Sequence, residues 1–306
     1  MTSRKVAFLF PGQGSQHAGL GADFLEDPDV VALARRCSRR VDLQRLLIEA
    51  DEEELRLTEN AQPALCFAGI ALTMLLRRAG LEPAAAAGHS VGEYAALAAA
   101  GVLAPEDAVL AVTERGFAMA EAVPAGETSM SAVLGMDPDA VGSVLRGVGE
   151  AWPANYNTQS QTVIGGSILG LSEATEKLQA AGARRVIPLN VSAAFHTPFV
   201  VPAARRLRAF LDTLTFNRPR IPVISNLTGK PYEDDADFPA LLELQLQSAV
   251  RWSDGIRALS GLGITDFVEV GPKKALSGMI RDLAPGAGVH SVATRSACLE
   301  VAGLLH

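Results

Sequence analysis

Cysteine is scarce in this chain: Cys37, Cys66 and Cys298 stand far apart, with no CxxC pair and no histidine beside them. That spacing excludes a disulfide framework and a zinc site, and leaves three reduced packing residues. Long apolar runs are missing too. The longest mostly apolar stretch, residues 64–76, falls short of the roughly 20 residues that a bilayer-crossing helix needs. The apolar run 6–10, ended by Pro11, is too short for the core of a secretion signal. A cytoplasmic protein without a membrane partner is expected. Positive charge is not in excess either. The 27 Lys and Arg against 34 Asp and Glu give a net charge of −7, which argues against a nucleic-acid partner, since neutralising phosphates takes a basic face. Internal repeats and low-complexity tracts are absent beyond short alanine runs. With 48% hydrophobic and 20% charged residues the balance is that of a globular chain, not a disordered or fibrous one.

What is present reads as two units. A length of 306 residues exceeds the usual single domain. The run 6–10 is a buried strand ended by Pro11 and Gly12, with a Gly-rich turn behind it. A helix is predicted over 64–78. The alanines 84–87 are poor strand formers, so a strand there is inferred from the turn that follows. Helices are predicted over 92–100, closed by Gly101, and over 105–122, opened by Pro105, Glu106 and Asp107. Between 124 and 198 the pattern changes to short strands at 131–134, 162–164 and 185–189, alternating with helices at 138–145 and 171–181. Helix 203–214, strand 221–224, helix 253–259 and strand 267–270 then restore the first rhythm. The expected fold is α/β, with a large unit over 1–126 and 199–306 and a small α+β unit inserted over 127–198.

Gly88-x-Ser90-x-Gly92, between a strand and a helix, fits a nucleophile elbow, whose glycines allow the crowding that exposes a serine hydroxyl. A serine at a helix N-terminus also sits where free amides and the helix dipole favour an oxyanion. An ordinary Gly-Ser turn is the plain alternative, and the placement favours the elbow. A nucleophilic serine needs a base, and there are five histidines. His306 is terminal, His290 lies in a late apolar stretch, His17 follows the first strand, and His89 adjoins Ser90 and points away. His196 is left, preceded by the mostly apolar 191–195 and followed by Thr197 and Pro198; a packed core histidine is its alternative. Arg115 taken alone is one arginine on a helix, for which a surface pair with Glu114 is the simpler account. Arg205, Arg206 and Arg208, and the pair Lys273 and Lys274, read as solvated faces or as local patches for an anionic partner.

The order of motifs along the chain resembles the malonyl-CoA:acyl-carrier-protein transacylases and the related acyltransferases of polyketide synthesis. The segments 10–16 (FPGQGSQ), 58–64 (TENAQPA) and 88–97 (GHSVGEYAAL) carry the resemblance, followed by Glu114-Arg115-Gly116, Asn155-Tyr156-Asn157 with Gln161, and 194–198 (AFHTP). Ser225-Asn226-x-Thr228-Gly229 and Glu269-Val270-Gly271-Pro272 complete it. The resemblance implies a large hydrolase-like domain with a parallel sheet and a small inserted ferredoxin-like subdomain. It implies ping-pong transfer of a malonyl group from malonyl-CoA to the phosphopantetheine thiol of an acyl carrier protein, through malonyl-Ser90. His196 would be the base, and the amides of Gln13 and Val91 the oxyanion hole. Arg115 would pair with the malonate carboxylate. Gln62 and Gln245 match polar site positions, and a backbone carbonyl near Gln245 would orient the histidine. Val91 and Phe195 suit malonyl over methylmalonyl. No metal and no bound cofactor are implied, and a monomer is. Ala249, where the family often has proline, bears on the loop around Gln245. Gly165, where it often has serine, is expected to affect only the small unit. Arg205, Arg206 or Arg208 is expected to help dock the acidic carrier. The competing readings are a serine hydrolase, such as a thioesterase or patatin-like lipase, and a non-catalytic carrier-binding subunit.

Overall fold

The structure, a computed structural model, describes residues 4–123, 126–191 and 193–305. Pro124, where the sequence pattern changes, and His306 lie outside the described residues. The strand β1 (Val6–Phe10) is buried along its whole length. The chain then passes through α1 (Pro28–Cys37), α2 (Leu43–Ile48) and α3 (Glu52–Arg56). Each is opened by an aspartate, Asp27, Asp42 or Asp51, that accepts first-turn amide hydrogens. The helix α4 (Thr58–Arg78) is buried on most of its circumference, as a helix apolar nearly all round must be. Next come β2 (Ala85–Gly88), α5 (Gly92–Ala99) and α6 (Pro105–Ala122).

The inserted unit holds β3 (Thr128–Leu134), α7 (Pro138–Leu145), β4 (Ala151–Thr158), β5 (Gln161–Ser167), α8 (Ile168–Ala180) and β6 (Arg185–Pro188). After it run α9 (Val201–Leu211), β7 (Val223–Ile224), α10 (Phe238–Leu246), α11 (Trp252–Gly261), β8 (Asp266–Val270), α12 (Ser277–Leu283), β9 (Gly288–Val292) and α13 (Arg295–Leu305).

Five strands form a parallel sheet in the order β7-β2-β1-β8-β9. Both faces of this sheet are covered. Phe8 and Ala86 pack into one apolar cluster, and Ala7, Leu9, Ala85 and Ala87 into another on the opposite side. This position overrides the poor strand propensity of the alanines, because a central strand covered on both faces is specified by burial.

The second sheet is antiparallel in the order β4-β5-β3-β6, which with its two helices is the ferredoxin-like arrangement. Along β3 the faces alternate. Val133 packs with Val141, Ile164 and Leu178 under the unit's own helices, while Met130 and Ala132 join the core of the large unit. Strand β4 was not expected from sequence. It contains Pro153, Asn155 and Asn157, carries two register shifts and runs at the sheet edge, where a proline is tolerated. Its backbone is tied to the segment after α10: Tyr156 N–H donates to Val250 C=O at 2.8 Å, and Val250 N–H to Ala154 C=O at 2.9 Å. The expected strand 221–224 shrinks to Val223–Ile224.

Candidate active site

Strand β2 ends at Gly88 and α5 begins at Gly92, so Ser90 occupies the tight turn between them, with φ of +53°. Steric necessity explains both glycines. A Cβ on Gly88 would lie 1.9 Å from the Gly92 carbonyl carbon, and one on Gly92 would lie 2.2 Å from the Phe10 oxygen. The strained serine backbone is held by two side chains. Ser90 N–H donates to Asn226 Oδ1 at 2.7 Å, and Gln245 Nε2 donates to Ser90 C=O at 3.0 Å.

His196 arrives from the other side, on the irregular segment leaving the small sheet, also with positive φ, +59°. Ala194 N–H donates to Thr128 Oγ1 at 3.0 Å, and Thr197 Oγ1 donates to Ala194 C=O at 2.6 Å, which shapes the bend. The imidazole Nε2 lies 2.7 Å from Ser90 Oγ, and Nδ1 lies 3.1 Å from the backbone oxygen of Gln245. With Nδ1 donating to that carbonyl, Nε2 is left to accept the serine proton. Burial, with help from the Arg115 charge, pushes the His196 pKa down to about 3, so the ring is neutral at neutral pH and its Nε2 lone pair is free. The loop carrying Ala249 therefore keeps the Gln245 carbonyl within reach of the ring.

Arg115 is 1% exposed. It turns inward from α6, whereas Glu114 faces outward and pairs with Arg40 at 3.1 Å; the surface pair between neighbours is not formed. The guanidinium donates through Nη1 to Gln62 Oε1 at 2.6 Å and through Nη2 to Ser90 Oγ at 3.1 Å. Its Nε has no partner among the described residues. Burial lowers its pKa, opposed by Tyr94 and Glu93, and a guanidinium still keeps its charge.

A cavity of about 460 Å³ joins these groups. Ser90, Val91, Gln13, Arg115, Phe195 and His196 line it, Met130 and Val163 of the small sheet close one side, and the exposed Arg56 and Lys273 stand at its rim. The backbone N–H groups of Gln13 and Val91 have no hydrogen-bond partner among the described residues. Gln62 and Gln245 are buried behind this wall. Among the described residues no cluster of three His, Cys, Asp or Glu side chains could hold a metal, and no helix is long and apolar enough to cross a membrane.

Other expectations fall elsewhere. Arg205, Arg206 and Arg208 do not line the cavity. Arg206 pairs with Glu121 at 2.5 Å, and Arg208 with Asp212 at 2.7 Å and Glu243 at 3.4 Å, so much of that charge is met within the chain. Gly165 does not concern the small unit alone. A Cβ there would lie 2.9 Å from Thr197 Cγ2 and 3.3 Å from Ala194 Cβ, in the segment carrying His196. His89 packs its ring on Trp252, and its Nε2 lies 3.0 Å from Asn157 Oδ1. His290 lies 3.2 Å from Asp266, which begins β8 at the sheet edge away from Ser90.

Sequence reasoning gave no role to Glu93, Asn226 and Tyr232, which stand directly behind the site. Tyr232 OH and Asn226 N–H donate to Glu93 Oε1 at 2.6 and 3.0 Å, and Gln245 Nε2 donates to Oε2 at 3.0 Å. Burial pushes the Glu93 carboxyl up to about 7, while these donors and Arg115 pull it back toward the ionised form. A signal existed: Glu93 is the one charged residue in a helix otherwise made of Gly, Tyr, Ala and Leu, and a buried carboxylate is retained only where it is satisfied.

The chain is similar to known proteins over nearly its whole length. Residues 7–298 match the family described as acyl transferase domain. By sequence the chain is similar to the malonyl CoA-acyl carrier protein transacylase of Bacillus subtilis (strain 168), 44% identical over 287 residues spanning 90% of each chain. It is 35% identical to that of Escherichia coli (strain K12) over 307 residues, 97% of this chain and 99% of the other. By structure it resembles the transacylase of the same name from Coxiella burnetii, with a TM-score of 0.94 and 34% identity over 99% and 98% of the two chains. It also resembles a malonyl-transacylase solved in complex with its type II polyketide synthase acyl carrier protein, with a TM-score of 0.92 and 32% identity over 98% and 99%.

Proposed function

The chain belongs to the acyl transferase domain family, and from that premise we propose that it carries a malonyl group from malonyl-CoA to the phosphopantetheine thiol of an acyl carrier protein. The carrying observation is Ser90 Oγ set between the neutral Nε2 of His196 at 2.7 Å and the buried guanidinium of Arg115 at 3.1 Å. His196 takes the Ser90 proton as Oγ attacks the thioester carbonyl. The oxyanion of the tetrahedral intermediate is met by the free amides of Gln13 and Val91. Collapse breaks the C–S bond and the coenzyme A thiol leaves with the proton from His196, which gives malonyl-Ser90. The carrier thiol then attacks this ester, His196 takes its proton, and Ser90 leaves with that proton restored. Every step uses side chains and amides of the chain, with no metal or bound cofactor.

Arg115 favours transfer over a plain hydrolase. Gln62 occupies Nη1, while Nη2 and the unpartnered Nε share one edge of the planar group, the edge that a carboxylate meets with two hydrogen bonds. A buried cation offsets the desolvation of malonate and serves no purpose for a neutral ester. Phe195 and Val91 narrow the acyl pocket, worth about 1–3 kcal/mol against one extra methyl. The division of labour follows residues 1–126 with 199–306 for Ser90 and Arg115, and 127–198 for His196; the setting is cytoplasmic. For carrier docking Arg205 keeps its exposed charge, and the rim residues Arg56 and Lys273, which have no ion pair among the described residues, fit better than Arg206 and Arg208.

Intact-mass measurement after mixing with malonyl-CoA tests the proposal. A stable malonyl adduct is expected, absent from Ser90→Ala, and rapid release of free malonate would instead make this a hydrolase. Arg115→Ala is expected to cut malonyl loading about a hundredfold and acetyl loading less than tenfold; equal losses would reject the carboxylate role.

A further inference from the structure

We propose that Glu93 is a positioning residue for the Ser90–His196 pair, acting through Gln245 and Asn226. The inference rests on the nucleophile and base assigned above and extends them to a third layer. Ser90 and His196 both have positive φ and lie outside helices and strands, and among the described residues the one backbone bond at Ser90 is the Glu93 N–H to its C=O at 3.1 Å. Two side chains also hold the serine: Asn226 Oδ1 receives Ser90 N–H while Asn226 Nδ2 donates to Gly88 C=O at 2.6 Å, and Gln245 Nε2 donates to Ser90 C=O. Gln245 also gives its backbone oxygen to the back of the imidazole. Glu93 is where these two residues meet, since its Oε1 holds the Asn226 N–H and its Oε2 the Gln245 amide. Tyr232, from beyond β7, is the third donor to the carboxylate and the second on Oε1.

The chemistry calls for a carboxylate and not for an amide of the same shape. A backbone N–H and a side-chain NH2 can only donate. A glutamine at this position would turn its own NH2 toward one of them, leaving one buried donor unmet and one arm of the network free. Loosening of this kind costs rate, because small misplacements of reacting groups lower the rate by up to about a hundredfold.

The test measures the rate of acyl-enzyme formation per folded molecule, by quenched intact mass, in the full chain and in Glu93→Gln, Glu93→Asp, Gln245→Met and the Glu93→Gln/Gln245→Met double variant. Malonyl-CoA and acetyl-CoA serve as donors. Glu93→Gln is expected to slow acylation about 10- to 100-fold with both donors alike, with the half-saturating donor concentration within about threefold, and Glu93→Asp should fall between. The double variant should be slowed by clearly less than the product of the two single losses, since part of each effect passes through the shared Glu93–Gln245 contact. Rates within twofold of the parent, losses that multiply, or a selective loss of malonyl transfer would each overturn the proposal. Failure of both Glu93 variants to fold would make the residue one of stability and overturn it equally. Ser90→Ala run alongside separates the layers: an adduct surviving there would refute the nucleophile itself, whereas its loss beside an unaffected Glu93→Gln refutes only this inference.

Discussion

The two sheets present the proposed nucleophile and base by different means. The parallel sheet offers Ser90 on a turn of a few residues, whose shape is forced by Gly88 and Gly92 against their immediate surroundings. The antiparallel sheet offers His196 on an irregular segment, whose shape depends on Thr128, on Thr197 and on the Gln245 carbonyl 49 residues away. The turn of the nucleophile is therefore set sterically by its own glycines and then held by Asn226 and Gln245, whereas the segment of the base has no such local steric cause and rests on hydrogen bonds between distant parts of the chain. Damage to the first should be abrupt, and damage to the second graded.

The largest effect should come from Gly92→Ala. Its Cβ would meet the Phe10 oxygen at 2.2 Å, a backbone atom that cannot step aside, so a loss of about 4 kcal/mol or more is expected. Chemical denaturation would measure it, and the folded fraction should form no malonyl adduct. Thr128→Val keeps the shape of the side chain and removes the acceptor of the buried Ala194 N–H. That should cost about 1–3 kcal/mol and slow acylation several-fold without abolishing it. An abrupt loss in this variant, or a mild one in Gly92→Ala, would erase the contrast.

A gentler test uses pH, because both sides hold displaced titrations. The His196 pKa falls from 6.5 to about 3, under burial and the charge of Arg115, so the unfolded chain binds the extra proton between those values and stability drops as pH falls through that window. The Glu93 pKa rises from 4.5 to about 7 by burial, opposed by Tyr232, Asn226, Gln245 and Arg115, so the folded chain binds the extra proton there and stability rises as pH falls from 7 to 4.5. The buried His89, whose pKa is also lowered, adds to the histidine side, and below about pH 4.5 the lowered carboxyls of Asp27 and Glu54 add their own loss. Melting temperature should thus fall gently from pH 7 to about 4.5, where Glu93 offsets part of the loss, and more steeply below it. In Glu93→Gln the gentle limb should steepen.

The same contrast explains what could be read from the sequence. The elbow was legible because its cause is local: Gly-x-Ser-x-Gly between an apolar run and a helix states its own geometry. His196 was reachable by elimination among few histidines, but nothing in residues 191–198 points to Gln245 or Thr128, which meet it only through tertiary packing. Arg115 was legible through resemblance alone, since a surface pair with Glu114 is equally consistent with its neighbours in sequence. Strand β4 stayed hidden because Pro153, Asn155 and Asn157 mask its pattern, and its place is fixed by backbone bonds to Val250. The expectation for Gly165 stopped at the small unit because a sequence does not say that β5 lies under the segment bearing His196.

The uniform direction of the five large-sheet strands has a practical consequence. Their carboxyl ends supply Gln13 after β1, Ser90 after β2, Asn226 after β7 and Lys273 after β8. Their entry points, near Glu82, Arg218, Leu262 and Ala287, open on the reverse edge. Reporter tags or short inserted peptides grafted at those four turns would leave turnover intact, which makes this edge the natural handle for immobilising the enzyme.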